Sequence, residues 1–172
     1  MQANSDSNKK KLLEGIKSEL RKQLSSDKVA EVALFCDTYF KRVPFHEMED
    51  ASPDIMSAMV ASQFAFVQNR RAGELKQRIY NPEQEKDGWE SQHTVVEMLN
   101  VHMPFIVDTA SMAAQELDLV VHLIVHPIFN VERDAKGRFR KFQPRRTVKS
   151  RKESFIHIHL DKQTDPAVLA SV

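Results

Sequence analysis

Five side chains stand out for the chemistry they could do together: Glu97, His122, His126, His157 and His159. Each histidine pair is separated by an even number of residues, so a strand carrying either pair sends both rings to one face of its sheet. Glu97 alternates with Val96 and Met98 and joins a polar face in the same way. Imidazoles and a carboxylate converging on one face have the ligand chemistry of zinc or a similar ion. The same groups also suit a packed interface, with histidines hydrogen-bonded to the amino-terminal helices or to a neighbouring subunit. We expect the interface, because zinc requires three or four ligands at about 2 Å from one point and no CxxC or HExxH accompanies these residues. No metal is assigned. Such a face still responds to pH, since imidazole titrates near neutrality.

Other chemistries find less support. Between Arg133 and Lys152 the chain carries Lys136, Arg138, Arg140, Lys141, Arg145, Arg146, Lys149 and Arg151, with Phe139 and Phe142 interleaved. Cations and aromatics in alternation suit phosphates and unstacked bases. The rest of the chain balances this charge to a formal +1, and long connections are normally charged and solvated, so a solvated ribbon is the expectation rather than nucleic acid. The four glycines stand at 15, 73, 88 and 137. They are too dispersed for GxGxxG or a P-loop, which cluster glycines to bring backbone amides against phosphates. No serine elbow is present. The single cysteine, Cys36, lies in an apolar helical run where a thiol is packed and inert, and it points to a reducing compartment, the cytoplasm. No catalytic or cofactor-binding residue is assigned.

These residues need elements to place them. Leu12, Ile16, Leu20 and Leu24 recur every four positions and predict a one-sided helix over Ser7–Leu24. Ser25-Ser26-Asp27 starts a second helix that Pro44 ends, and Ser52-Pro53-Asp54 starts a third. The helical segment is expected to span 1–73, closing at Arg70-Arg71-Ala72-Gly73. Gln77 to Asn81 reads as extended, followed by a turn-rich loop to Gly88. Thr94–Leu99 reads as a strand, Met103–Glu116 as a helix with Pro104 in its first turn, and Val120–Phe129 as one strand. A turn at Asp134–Gly137, a ribbon over Arg138–Gln143 and a strand over Ser154–Asp161 complete the order. In that arrangement Leu123, Val125, Ile156, Ile158 and Leu160 face the covering helix and the histidines face away. No uninterrupted apolar run of about 18 residues exists for a membrane span.

Tyr80-Asn81-Pro82, Gly88-Trp89, His93 to Glu97, Met103 to Asp108 and His122 to Pro127 together resemble the amino-terminal region of the large bacterial NAD-specific glutamate dehydrogenases. The resemblance runs from roughly Phe40 to Val172 and implies an ACT-like regulatory or assembly portion, with catalysis and NAD binding elsewhere in the polypeptide. The implied fold class is α+β: amino-terminal helices, then an incomplete ACT or ferredoxin-like βαββ(α) sandwich over 74–172 that stops before its last helix and strand. The implied partners are downstream domains of the same polypeptide, further copies of the chain and an amino-acid effector. The free-standing alternative is an amino-acid-binding ACT module. In either case the resemblance makes Asn100, Val101, His102, Met103, Pro104 and Phe105 the effector loop, because ACT domains present backbone amides between first strand and first helix. Phe105 stands where effector-binding loops often carry glycine, and its bulk restricts approach to the backbone.

Overall fold

The computed structural model describes residues 2–71 and 73–171; Ala72, within the expected segment boundary, and Val172 lie outside them. Three helices come first: α1 (Gln2–Gln23), α2 (Ser26–Phe40) and α3 (Pro53–Gln68). The four-residue period of α1 turns Ile16 and Leu20 wholly inward, and Lys17 bridges to Asp37 of α2 at 2.9 Å. A Cβ at Gly15 would meet Pro53 Cγ at 3.2 Å, so glycine lets α1 close onto the first turn of α3. Pro53 occupies that turn, where its missing N–H leaves no bond unmade.

β1 (Lys76–Tyr80), the single turn α4 (Gln84–Asp87), β2 (His93–Val101) and α5 (Ile106–Glu116) follow. α5 ends in a Schellman arrangement with Asp118 in the left-handed region (φ 54°). Leu119 N–H bonds Ala114 O at 2.9 Å and Asp118 N–H bonds Gln115 O at 3.0 Å. β3 (Val121–Val125), β4 (Ile128–Arg133), β5 (Phe139–Gln143), β6 (Arg151–Asp161) and α6 (Pro166–Ser171) complete the chain. The sheet is antiparallel throughout, in the order β1-β2-β6-β4-β5, with β3 also paired to β6.

Three expectations are corrected. The stretch expected as one strand over Val120–Phe129 is two, because His126-Pro127 interrupts the ladder: Pro127 has no N–H to donate. Both pieces still pair with β6, β3 opposite its second half and β4 opposite its first. Second, pairing of Ile124 with Ile158 turns Ile124 and Val121 toward α5, whereas Leu123 and Val125 join the opposite face. Third, Pro104 lies ahead of α5 rather than in its first turn. The edge of β2 that the last strand of a βαββαβ unit would cover is taken instead by β1.

Each face of the sheet has its own core. On one, α5 packs over Val96, Ile156, Ile158 and Leu160. On the other, α1–α3 share a larger cluster with Leu99, Val125, Phe129, Val131, Phe142 and Phe155. Phe35 is the hub of that cluster. Its ring stacks on Phe129 with centroids 5.0 Å apart and lies within 6.3 Å of Phe64, Phe142 and Phe155.

Phe35→Ala empties the centre of an aromatic cluster and is expected to cost ~3–5 kcal/mol in urea denaturation followed by circular dichroism. Val148→Ala, on a fully exposed side chain, should stay within ~0.5 kcal/mol.

Candidate functional site

The polar face forms where β2 and β6 pair. Antiparallel register sets His93 opposite Asp161, Val95 opposite His159 and Glu97 opposite His157, and residues directly opposite share a face. β1 extends the row with Arg78 opposite Glu97. β3 adds His122, which sits at the register shift between Val121 and Leu123. Together these side chains make a continuous line from the buried helix–sheet interface to the surface.

At the inner end, Glu97 and His157 have no exposed surface. His157 Nδ1 lies 3.3 Å from Glu97 Oε1 and 2.9 Å from Gln63 Nε2 of α3, whose amide also reaches the Tyr39 hydroxyl of α2 at 3.2 Å. Arg78 bonds the second carboxylate oxygen at 2.5 Å and Ser62 at 3.0 Å, while the Tyr80 hydroxyl donates to Glu97 at 3.3 Å. Burial pushes the Glu97 carboxyl up, but the His157 hydrogen bond and charge, joined by Arg78, outweigh it and hold the group below the ordinary carboxylate range.

Outward from there, His157 Nε2 and His159 Nε2 are 2.8 Å apart. At that distance one nitrogen must donate and the other accept, so the pair does not carry protons on both. The His159 ring stacks on His93 (5.2 Å between centroids), and His93 sits 4.5 Å from His122. His122 Nε2 ends the line on Asp161 Oδ1 at 2.6 Å. Burial, followed by the charges of His157, His93 and His122, brings His159 down to about 3. Burial and then His122 lower His93 as well.

Of the five residues expected on this face, Glu97, His122, His157 and His159 are brought together. His126 is not: the register shift between Val121 and Leu123 breaks the alternation that would have kept it on the face of His122, and its ring lies 6.2 Å from that of His102 between centroids. His93, Gln63, Tyr39, Arg78, Tyr80 and Asp161 also belong to the line and were not among the residues expected there. For His93 the signal in the chain was its even spacing from Glu97 on one strand; the rest depend on pairing, in which 93, 95 and 97 count up as 161, 159 and 157 count down, and on the packing of α2 and α3. Among the described residues no three His, Cys, Asp or Glu side chains are arranged to hold a metal ion.

The loop Asn100–Phe105 lies at the far end of β2. His102 is tied down, its N–H to Lys152 O at 2.9 Å and its Nδ1 within 2.8 Å of Ser154 Oγ. Asn100 Oδ1 accepts from Val101 N–H at 2.8 Å. Val101, Met103 and Phe105 are exposed, Phe105 by 77%. Phe105 is the N-cap of α5 and adopts φ 62°, a left-handed conformation in which a bulky residue is strained. It makes no side-chain cap, and its carbonyl accepts from both Thr109 N–H and Thr109 Oγ1 at 2.9 Å. Neither of the two cavities described is lined by residues 100–105.

Elsewhere, the aromatics of the basic stretch are used by the core, Phe142 buried and Phe139 packed against it. Arg133 turns inward and binds both oxygens of buried Glu153 at 2.8 Å, beside Arg70 at 3.0 Å. Burial pushes the Cys36 thiol up to about 12, which keeps it protonated and unreactive. No helix among the described residues is long and apolar enough to cross a membrane.

Residues 35–172 match a family described as glutamate dehydrogenase, ACT1 domain. An NAD-specific glutamate dehydrogenase of Halomonas elongata is 31% identical over 163 residues, 94% of this chain and 10% of that protein. Its namesake in Pseudomonas aeruginosa is 25% identical over 149 residues, 86% of this chain and 9% of that protein. The chain thus spans about a tenth of the curated relatives it matches. No solved structure matches it significantly.

The histidine line makes folding sensitive to acid. The unfolded chain protonates His159 near 6.5, whereas the folded chain holds it neutral down to about 3. Between those values the unfolded state binds more protons. Stability is therefore complete above pH 6.5 and falls toward pH 3, by about 1.4 kcal/mol per pH unit from this group. Denaturant midpoints at about pH 5 and about pH 7.5 should converge in His159→Asn relative to the parent.

Proposed function

Because the chain belongs to the glutamate dehydrogenase ACT1-domain family, we propose that it is the regulatory and assembly portion of an NAD-dependent glutamate dehydrogenase. In this reading the whole polypeptide oxidatively deaminates L-glutamate to 2-oxoglutarate in the cytoplasm. The lysine and nucleotide-binding residues of that reaction, and NAD itself, belong to other domains. The observation that carries the reading is the family match over 35–172, supported by two glutamate dehydrogenases that align with nearly the whole of this chain.

The helical segment 1–73 and the α+β segment 74–172 work as one body in this proposal, which agrees with the core they share. Its partners are the downstream domains and further copies of the polypeptide. The contact loop is Asn100–Phe105. Exposed Val101, Met103 and Phe105 fit a protein surface better than they fit a polar solute. A strained left-handed phenylalanine is retained where its side chain is used. An amino-acid effector acts through this same loop, by changing how it seats on its neighbour.

Phe105→Asp tests the loop in the full-length enzyme. The exposed position leaves the fold intact by circular dichroism, while light scattering should show a smaller assembly. Glutamate-dependent NADH formation should fall and lose its response to a panel of L-amino acids. An enzyme unchanged in size, rate and response would remove the loop from both roles. A full-length polypeptide that does not reduce NAD with L-glutamate would overturn the parent activity itself.

A further inference from the structure

Beside the break between β3 and β4, the carboxyl end of α2 and the β3–β4 connection line an open cavity of about 810 Å³. Ligand sites commonly span roughly 300–1,000 Å³. Val43, Leu123, Phe129 and Phe142 give it apolar walls. Two of its polar lining residues each hold a buried atom without a hydrogen-bond partner, His126 Nε2 and Asn130 Oδ1. A buried polar atom left unpaired costs ~1–3 kcal/mol, so a ligand that supplies the missing partners recovers that cost on binding.

Several neighbouring polar groups are already engaged. The Thr38 hydroxyl donates to Leu34 O at 2.8 Å, Asp37 is paired with Lys17 at 2.9 Å, and the Gln143 amide donates to Glu132 at 2.7 Å. Lys41 and Arg42 add two exposed cations to the lining. With Asp37 offset by Lys17, the cavity presents net positive charge. Burial, then the charges of His102 and Arg42, hold His126 below its ordinary value. A neutral ring presents Nε2 as donor or acceptor according to its tautomer.

We propose that this cavity binds a small organic monocarboxylate with an apolar body and a hydroxyl or N–H group. The carboxylate meets Arg42 and His126, the apolar body lies on Leu123 and Phe129, and the donor satisfies Asn130 Oδ1. This site is separate from the Asn100–Phe105 loop and does not depend on the role proposed there.

Calorimetry on the purified protein with three probes tests the assignment. Phenyllactate, which has carboxylate, hydroxyl and ring, should bind saturably. Phenylpropionate lacks the hydroxyl and should bind roughly tenfold more weakly. Phenethylamine reverses the charge and should not bind. Arg42→Glu changes an exposed side chain, so the fold is kept, and it should weaken phenyllactate by roughly tenfold or more. Asn130→Leu should erase the preference for phenyllactate over phenylpropionate. Binding of none of the three probes would leave the cavity to ordered water and overturn the proposal. Binding that survives both substitutions unchanged would overturn it too, by placing the ligand elsewhere.

Discussion

The central strand β6 has no free side. Its edges are bonded to β2 on one flank and to β3 and β4 on the other, its faces lie under α1–α3 and under α5, and most of its residues are buried. Such a strand cannot leave its polar side chains unsatisfied, because water is not available to replace a missing partner. Glu153, Ser154 and His157 are all buried on it, and each is answered by a different part of the chain. Glu153 takes Arg70 and Arg133, Ser154 takes His102, and His157 takes Glu97 and Gln63. These contacts fix α3, β2, β4 and the loop ahead of α5 against one strand.

This arrangement explains why the amino-terminal helices are an integral part of the sheet structure. In a sandwich with one covered face, the opposite face would be polar and wet. Here that face carries Phe129, Phe142, Phe155, Leu99 and Val125, with Phe35 driven into their centre. The histidine line lies on the same face beside this cluster, under Tyr39 and Gln63. Its inner end is sealed by helices and its outer end reaches solvent at His122 and Asp161. With both faces of the sheet engaged, the large apolar side chains left exposed lie off the sheet faces, Met103 and Phe105 on the loop ahead of α5 and Met112 on the outer side of that helix.

The interruption at His126-Pro127 follows from one missing N–H. It divides the strand so that β3 and β4 each meet a different half of β6, with Phe155 N–H reaching Pro127 O at 3.1 Å across the gap. His126, just before the break, lies on the wall of a cavity beside α2 and off the line of the other histidines, because the register shift between Val121 and Leu123 has already reversed the alternation that began at His122. One irregular residue in β3 thus separates two imidazoles that even spacing alone would have put on one face.

Helix starts at Ser26 and Pro53, the turn at Gly137, the alternation of β6 and the family resemblance were legible in the chain itself, because each rests on residues close together in sequence: an extended serine ahead of a helix, a fixed φ, a positive φ, a period of two. The polar face was also legible in part, since even spacing constrains His157 and His159 wherever their strand lies. What the residues alone could not decide was which strands pair and in what register. That choice brings His93 to His159, Arg78 to Glu97 and Gln63 to His157, contacts between residues as far as 94 positions apart. It also set β1, rather than a later strand, beside β2. Pairing of this kind depends on burying both faces of one strand at once, and that free energy exists only in the assembled core.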